Sequence, residues 1–267
     1  MAVCLAYLFI RTGVLAQPEF PGVLSVVATD PVDLNACSTV VIWCNATIND
    51  STGWTDIVNV NATLWDDSKV DEFDSDDNSN HYTNLSCGLN SGSGSIVQAN
   101  CTFTVQYYAN PAEWTCIVYA NDTGGNSTSN STNLTVNSLI ALNAESTIDF
   151  QTLSPGATSP DDVNNTVTNC GNVPIDLNLS GTNLTNVSAT VTNISVGNVK
   201  YNLTDYAQDY TANMSSLNSS STYTDFSLVK RTNGVSTNKT YWKIGIPSVI
   251  EDLVYTGTIT FIAVTDI

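Results

Sequence analysis

Short runs of β-branched and aromatic residues, interrupted by Gly, Asn and Pro, recur along the whole chain of 267 residues. Such runs favour pleated strands, because the stiff χ1 angle of β-branched side chains suits a half-buried sheet surface. Helical periodicity of 3.6 residues is absent throughout, so the pattern predicts an all-β protein. The strands predicted in the first half are residues 23–28, 39–46, 56–65, 81–87, 100–107, 113–121 and 130–136.

Two cysteines and a tryptophan indicate how the strands of the first half are arranged. Cys44 ends the run VVIWC, Trp65 ends the next long strand, and Cys116 lies in the late strand WTCIVYA. This order resembles that of immunoglobulin-like domains, in which an early and a late cysteine are bonded across a β-sandwich. The resemblance implies a Cys44–Cys116 disulfide. Trp114 stands where the family usually has the tyrosine of its tyrosine corner, which is a departure from the pattern.

The second half of the chain resembles the immunoglobulin-like modules of secreted archaeal surface proteins. The resemblance rests on residues 144–150, 153–158, 165–175 and 255–263, which follow a short connector at 137–143. It identifies a type of module and not an activity. Taken together, the two halves predict tandem immunoglobulin-like β-sandwich domains at residues 17–137 and 138–267.

The chain contains seven cysteines, and their number bears on its compartment. Cys4 lies in an apolar segment at the N-terminus, and without it six cysteines remain. An even number fits a set of disulfides that form in an oxidising, extracellular compartment. No Cys-X-X-Cys motif or Cys/His cluster is present, which argues against a zinc site.

Two further disulfides are expected. Cys87 and Cys101 flank a Gly/Ser loop and can close a hairpin. Cys37 and Cys170 then remain, and we expect them to bond to each other, either across the domain junction or between subunits. Similar archaeal modules have Thr or Ser at the position of Cys170, which favours a bond particular to this chain.

Asn-X-Ser/Thr glycosylation acceptors are unusually dense. The chain has 18 of them, whereas random placement of its Asn, Ser and Thr residues would produce about seven or eight. This excess predicts a coat of covalent N-glycans on a secreted or cell-surface protein. The acceptors are Asn45, Asn49, Asn61, Asn84, Asn100, Asn121, Asn126, Asn130, Asn133, Asn164, Asn178, Asn183, Asn186, Asn193, Asn202, Asn213, Asn218 and Asn238.

Residues 1–16 form an apolar run that is broken by Arg11. Val14-Leu15-Ala16 before Gln17 has the small residues of a secretory cleavage site, so the segment is interpreted as a signal peptide. The alternative is an apolar N-terminal segment that the mature protein retains. No other stretch approaches the roughly 20 apolar residues of a membrane span, so none is expected in the mature chain.

The charge of the chain limits its partners. With 7 basic and 25 acidic residues its net charge is −18, which repels the phosphates of nucleic acids and anionic lipid surfaces. Nucleic-acid binding is therefore not expected.

Few residues indicate chemistry of any kind. The one histidine, His81, is placed in a polar loop, and no nucleophile motif accompanies it, so an enzyme is not expected. The acidic loop at residues 66–80 offers a possible calcium site, because Asp74, Asp76 and Asn78 alternate as oxygen ligands do in calcium loops. The glycine and the final glutamate of the EF-hand pattern are missing, so a solvated acidic loop is the alternative.

Two functions fit these observations. The first is a structural subunit that polymerises with copies of itself into an extracellular filament, pilus-like thread or surface layer. Its subunits could be joined by strand addition, for which residues 23–28 have a suitable composition. Alternatively, those residues form the first strand of their own sandwich. The second function is a monomeric surface adhesin or binding module.

Overall fold

The structure is a computed structural model that describes residues 20–186, 188, 193–204, 209–232 and 234–266. The N-terminal segment of residues 1–16 lies outside the described residues. The protein is all-β, and its sheets are antiparallel. The strands of its first half are β1 (Gly22–Ala28), β2 (Thr39–Asn49), β3 (Ile57–Trp65), β4 (His81–Asn84), β5 (Gly88–Leu89), β6 (Ile96–Gln106), β7 (Ala112–Asp122) and β8 (Ser127–Val136).

The second half contributes eight further strands in the described residues, together with a 3-10 turn at Val196–Asn198. A first 3-10 turn, Trp54–Asp56, precedes β3. The strands of the second half are β9 (Leu142–Ala144), β10 (Val163–Asn169), β11 (Ile175–Gly181), β12 (Val199–Asn202), β13 (Ser215–Ser216), β14 (Thr222–Leu228), β15 (Thr237–Ile244) and β16 (Ile259–Thr265).

The first eight strands form the N-terminal sandwich. Its two sheets have the strand orders β1-β2-β6-β5 and β4-β3-β7-β8. Val32, after β1, crosses to the second sheet and bridges in parallel to Val136 of β8. The β1 strand therefore belongs to its own sandwich, where residues 22–28 pair with β2. This is the alternative placement that the sequence left open for residues 23–28.

The core of the N-terminal sandwich is built around Trp114 and the Cys44–Cys116 disulfide, all fully buried. Trp114 donates its indole N–H to the carbonyl of Asn110, four residues upstream, at 2.9 Å. This bond ties the strand back to its preceding corner, as the tyrosine hydroxyl does in a tyrosine corner. Trp65 lies on β3 as predicted, but Leu64 is the residue opposite Cys116, so Trp65 faces away from the disulfide.

The last eight strands form the C-terminal sandwich, with strand orders β13-β12-β15-β10-β9 and β14-β11-β16. Trp242 of β15 is fully buried and lies between the rings of Tyr201 and Phe261, with centroid distances of 5.5 and 5.7 Å. Leu177 and Leu179 of β11 face it from the second sheet as part of the same core. This core contains no disulfide.

The junction between the sandwiches is held covalently and by a buried amide. Cys37 and Cys170 form a disulfide within one chain. Next to it, Asn172 donates to the carbonyls of Ala109 at 2.9 Å and Asn137 at 3.0 Å. A side chain at Gly171 would collide with the backbone of the connector, because a Cβ atom there would lie 2.0 Å from a carbonyl oxygen. The turn at Gly171 therefore packs directly against the connector between the two sandwiches.

Candidate functional site

An open groove runs along one side of the C-terminal sandwich, between the edge strands β9 and β16. Each of these strands pairs with one neighbour, β10 and β11 respectively. No ladder joins β9 to β16 in the described part of the chain. One edge of each sheet therefore leaves backbone N–H and C=O groups without strand partners, which is the usual requirement for adding a strand.

The segment that follows β9 lines the groove without joining either sheet. The carboxylate of Asp149 accepts a hydrogen bond from the backbone N–H of Gln151 at 2.8 Å. Gln151 has a positive φ of 61°, and Pro155-Gly156 turns the chain again. Residues 145–153 and Pro155 line the groove, and none of them belongs to a strand.

The groove reaches the core of the sandwich. Its deeper part has a volume of about 610 Å³ and is floored by buried residues, among them Val199, Leu217 and Ile244. Its shallower part has a volume of about 520 Å³, with Ile148 and Phe261 among its lining residues. Its walls expose apolar side chains, among them Leu253 and Val254, and apolar surface in contact with solvent is unfavourable, so the groove favours an apolar occupant.

Polar groups of the groove add two constraints on an occupant. The hydroxyl of Tyr255 is buried and has no hydrogen-bond partner among the residues that the structure describes, so a donor or acceptor from an occupant would satisfy it. The lining includes the acidic residues Glu145, Asp149, Glu251 and Asp252 and no basic residue. An occupant that is itself acidic would be repelled.

Each of the residues predicted for calcium makes hydrogen bonds to neighbouring residues. Asp76 accepts hydrogen bonds from His81 at 2.8 Å and from Thr83 at 2.9 Å. Asp74 accepts from the backbone of Asp71 at 2.9 Å. The carbonyl of Asn78 accepts from the hydroxyl of Tyr82 at 2.6 Å. Each of the three contributes to holding the loop in place, and calcium at this position stays a prediction.

His81 is the first residue of β4, in agreement with the strand predicted at residues 81–87, and is therefore not in a polar loop. It is 1% exposed. One ring nitrogen contacts Asp76 and the other contacts the carbonyl of Glu72, each at 2.8 Å. Tyr119, on β7 of the same sheet, donates to the carboxylate of Glu72. Burial and this bond raise the pKa of Tyr119 to about 12. The histidine thus anchors the acidic loop to the sandwich.

The glycosylation acceptors occupy a consistent kind of position. All 18 acceptor asparagines lie in described parts of the chain, and none of them is buried. The buried asparagines are Asn165, Asn169 and Asn172, and none of these three is an acceptor. Asn45 of β2 and Asn100 of β6 are cross-strand neighbours on the outer face of their sheet. The acceptor asparagines thus lie outside the cores, as glycan attachment requires, because a glycan cannot be accommodated inside a core.

Comparisons with known proteins give no family. No protein-family model matches the chain, and no curated protein matches it. No helix of the described residues is long and apolar enough to cross a membrane.

Several solved structures match at low similarity. One is E. coli alpha-2-macroglobulin, at 11% identity and a TM-score of 0.29, over 90% of this chain and 16% of that one. Another is a carbohydrate-binding module of the β-sandwich superfamily, at 11% identity and a TM-score of 0.28, over 92% and 97% of the two chains.

A third match is the C-terminal domain of the AgI/II polypeptide BspA of Streptococcus agalactiae, at 13% identity and a TM-score of 0.22, over 92% and 96%. The chain spans only 16% and 46% of the first two structures matched, the second being a DUF4785 family protein from Legionella pneumophila. With TM-scores this far below 0.5, the likenesses carry no argument about function.

Proposed function

We propose that this protein is a non-catalytic structural subunit of an extracellular, N-glycosylated assembly, a filament or surface layer, whose copies are joined by strand addition. The observation that supports this proposal is the open groove between β9 and β16. It combines two unpaired sheet edges with apolar side chains that are exposed along its walls. An added strand provides what both features lack, namely backbone hydrogen bonds and alternating apolar side chains.

The occupant in this proposal is residues 1–16 of a second copy. This segment is apolar, contains no acidic residue and carries Arg11, which complements the acidic lining of the groove. The β1 strand of residues 22–28 is already used within its own sandwich, so the segment before it is the available donor. The proposal therefore adopts the alternative for residues 1–16, an apolar N-terminal segment that the mature protein retains.

In this arrangement the subunits are joined head to tail, because the donor segment and the acceptor groove lie beyond opposite ends of the N-terminal sandwich. Gly22 pairs with Asn49 at one end, where the N-terminal segment enters. The junction with the C-terminal sandwich, at Cys37 and Asn137, lies at the other end. Sixteen extended residues reach up to about 50 Å, which is enough to span a groove of this kind. A donor at one end and an acceptor at the other produce an open chain of subunits.

The dense glycosylation acceptors complement this arrangement. Strand β8 carries Asn130 and Asn133, and Asn126 lies in the turn before it. The first strand of the sandwich lies beside part of β8, where Asn130 donates to the carbonyl of Val23. Glycans on Asn126 and Asn133 would shield the rest of this edge from other chains. Intact-mass measurement of native material is expected to exceed 28.5 kDa by several kilodaltons. A mass equal to that of the bare polypeptide would contradict the glycoprotein role.

The decisive experiment compares native material with variants. Electron microscopy and size-exclusion chromatography should find polymers for the full chain and monomers when residues 2–16 are deleted. Ile148→Glu, which places a charge in the groove, should also abolish polymers, whereas Val235→Glu, on an exposed surface outside the groove, should not. Circular dichroism checks that each variant folds. Polymers that survive both the deletion and Ile148→Glu, or native subunits that begin at Gln17, would rule out this mode of assembly.

The second candidate function is a monomeric adhesin or binding module. The groove itself favours it, since a volume of about 610 Å³ is within the usual range for ligand sites, roughly 300–1,000 Å³. In that case native protein is monomeric, and Ile148→Glu weakens ligand binding while the deletion of residues 2–16 has no effect.

A further inference from the structure

Three aspartates meet at the end of the N-terminal sandwich that lies away from the junction. Asp50 follows β2, Asp56 ends the 3-10 turn before β3, and Asp122 ends β7. Each offers a carboxylate oxygen within 4.8 Å of those of the other two. Among the residues that the structure describes, no other group of three acidic, histidine or cysteine ligand atoms is so close together.

Backbone bonds between the loops keep these aspartates together. The N–H of Thr123 donates to the carbonyl of Asp56 at 3.0 Å, which joins the turn after β7 to the turn before β3. The hydroxyl of Thr123 also donates to the Asp56 carboxylate. Within the loop after β2, the N–H of Gly53 donates to the carbonyl of Asp50 at 3.1 Å. The cluster is therefore preformed by the fold.

Asp50 has a buried carboxylate that the hydrogen bonds of its own loop satisfy only in part. It is fully buried, and its Oδ1 accepts a hydrogen bond from the N–H of Thr52 at 2.8 Å. Its Oδ2 is shielded from solvent and has no hydrogen-bond partner in the described part of the chain. A buried carboxylate oxygen without a donor or a cation is strongly destabilising, so a partner is missing here.

The electrostatics of the cluster identify the kind of partner. Both carboxylate oxygens of Asp122 accept hydrogen bonds from Asn126, Oδ1 from its backbone N–H at 2.7 Å and Oδ2 from its side chain at 2.8 Å. The two ion pairs found among the described residues, His81–Asp76 and Lys243–Asp162, lie elsewhere. Carboxylates this close repel one another, and a bound cation relieves that repulsion without protonating them.

We propose that Asp50, Asp56 and Asp122 bind a calcium ion. Oxygens that lie 2.3–2.6 Å from one Ca²⁺ are at most about 5 Å apart, which matches the 4.8 Å within which these carboxylates lie. The ion offers Asp50 Oδ2 its missing partner, and water completes the shell of six to eight oxygens. Bound calcium links the ends of β2 and β7 to the start of β3, where the N-terminal segment enters. This site is distinct from the acidic loop with Asp74 and Asp76.

The test measures metal binding on the full chain. Thermal unfolding in EDTA is compared with unfolding in millimolar Ca²⁺. At a concentration of 100 times Kd the melting temperature should rise by roughly 5–15 °C. Tb³⁺ luminescence, excited through Trp54 two residues before Asp56, reports occupancy directly and should be displaced by Ca²⁺. Absence of a Ca²⁺-dependent rise together with absence of displaceable Tb³⁺ emission would overturn the proposal.

Matched variants locate the site. Asp56→Asn and Asp122→Asn should each abolish the response to Ca²⁺, so that each variant has the same melting temperature in EDTA and in Ca²⁺. Asp50→Asn is avoided, since it would create a new Asn-Ser-Thr acceptor. Asp149→Asn, which removes a comparable turn-capping carboxylate, is the control and should respond like wild type. If Asp74→Asn abolishes the response and Asp122→Asn retains it, the ion belongs to the acidic loop and the proposal is wrong.

Discussion

The two sandwiches are built from the same number of strands but bury their apolar residues differently. In the described residues, the N-terminal core has 25 buried members and 6 partly buried neighbours, and the C-terminal core has 12 and 14. Two disulfides lie inside the first sandwich and none inside the second. The first sandwich is therefore closed by its own strands. The second exposes apolar surface along its open side, which a partner strand could cover.

The largest expected effect compares the central tryptophans of the two cores. Trp114→Ala should lower the free energy of unfolding of the N-terminal sandwich by about 3–5 kcal/mol, because a closed core cannot collapse around the cavity. Trp242→Ala should lower the free energy of unfolding of the C-terminal sandwich by a smaller amount, with a difference of at least about 1 kcal/mol. The reason is that the open groove lets neighbouring side chains and water move into the space left by the ring. Amide hydrogen exchange resolved for each sandwich measures both values. Equal costs would mean that the two cores are equally rigid.

The second effect concerns the disulfides of the closed sandwich. Replacing Cys44 and Cys116 with alanine should lower its stability by up to about 4 kcal/mol, because the bond closes a loop with a sequence separation of 72. The Cys87–Cys101 bond, with a separation of 14, should cost about 1 kcal/mol less. Chemical denaturation of the double variants tests this order. The C-terminal sandwich should unfold unchanged, and its destabilisation would show that the two sandwiches unfold as one unit.

The third effect tests how strongly the sandwiches are coupled. Asn172→Ala removes both hydrogen bonds to the carbonyls of Ala109 and Asn137 and leaves these groups buried without a donor. The expected loss is about 2–4 kcal/mol. Calorimetry should then show separate unfolding transitions for the two sandwiches, with melting temperatures farther apart than in the wild type. Asn143→Ala, at an exposed position of β9, is the control and should leave the calorimetric profile unchanged.

The smallest effect is a pair of opposite pH dependences. For Asp77, burial would raise the pKa, but hydrogen bonds from Asn80, Ser79 and His81 outweigh it and lower the pKa. The stability that Asp77 contributes is therefore present above its unfolded pKa and lost as pH falls through its folded pKa. Asp266 is the reverse, because burial and the neighbouring Asp176 raise its pKa. At low pH Asp266 is neutral and contributes little, and as pH rises through its pKa the ionised carboxylate destabilises the folded state.

Alanine variants test both signs by thermal melts at pH 7 and pH 2. Asp77→Ala should destabilise the protein at pH 7 and have little effect at pH 2. Asp266→Ala should stabilise it at pH 7 and have little effect at pH 2. The same sign for both variants at pH 7 would contradict the assignment.

Much of the fold was accessible from local sequence. The predicted strand at residues 113–121 is β7 at Ala112–Asp122, and residues 39–46 lie within β2. These agree because alternating side chains along a strand directly reflect a buried and an exposed face. His81 was misplaced for a related reason. A buried histidine with satisfied nitrogens has no local signature when its partners are a loop carbonyl and a carboxylate.

The sequence by itself predicted the alternating strands, the formation of disulfides by the cysteines and the positions of the glycosylation acceptors. Each of these predictions depends on residues close together along the chain or on a resemblance between short segments. Tertiary structure decided the rest. Cys44 and Cys101 are directly opposite each other on β2 and β6, yet each is bonded to a different cysteine, as the packing of the two sheets requires. Asp50 and Asp122 lie 72 positions apart and meet only because β2 and β7 end at the same pole of the sandwich. Whether a sheet edge is paired or open likewise depends on how the sheets close, so the groove between β9 and β16 has no signature in either strand.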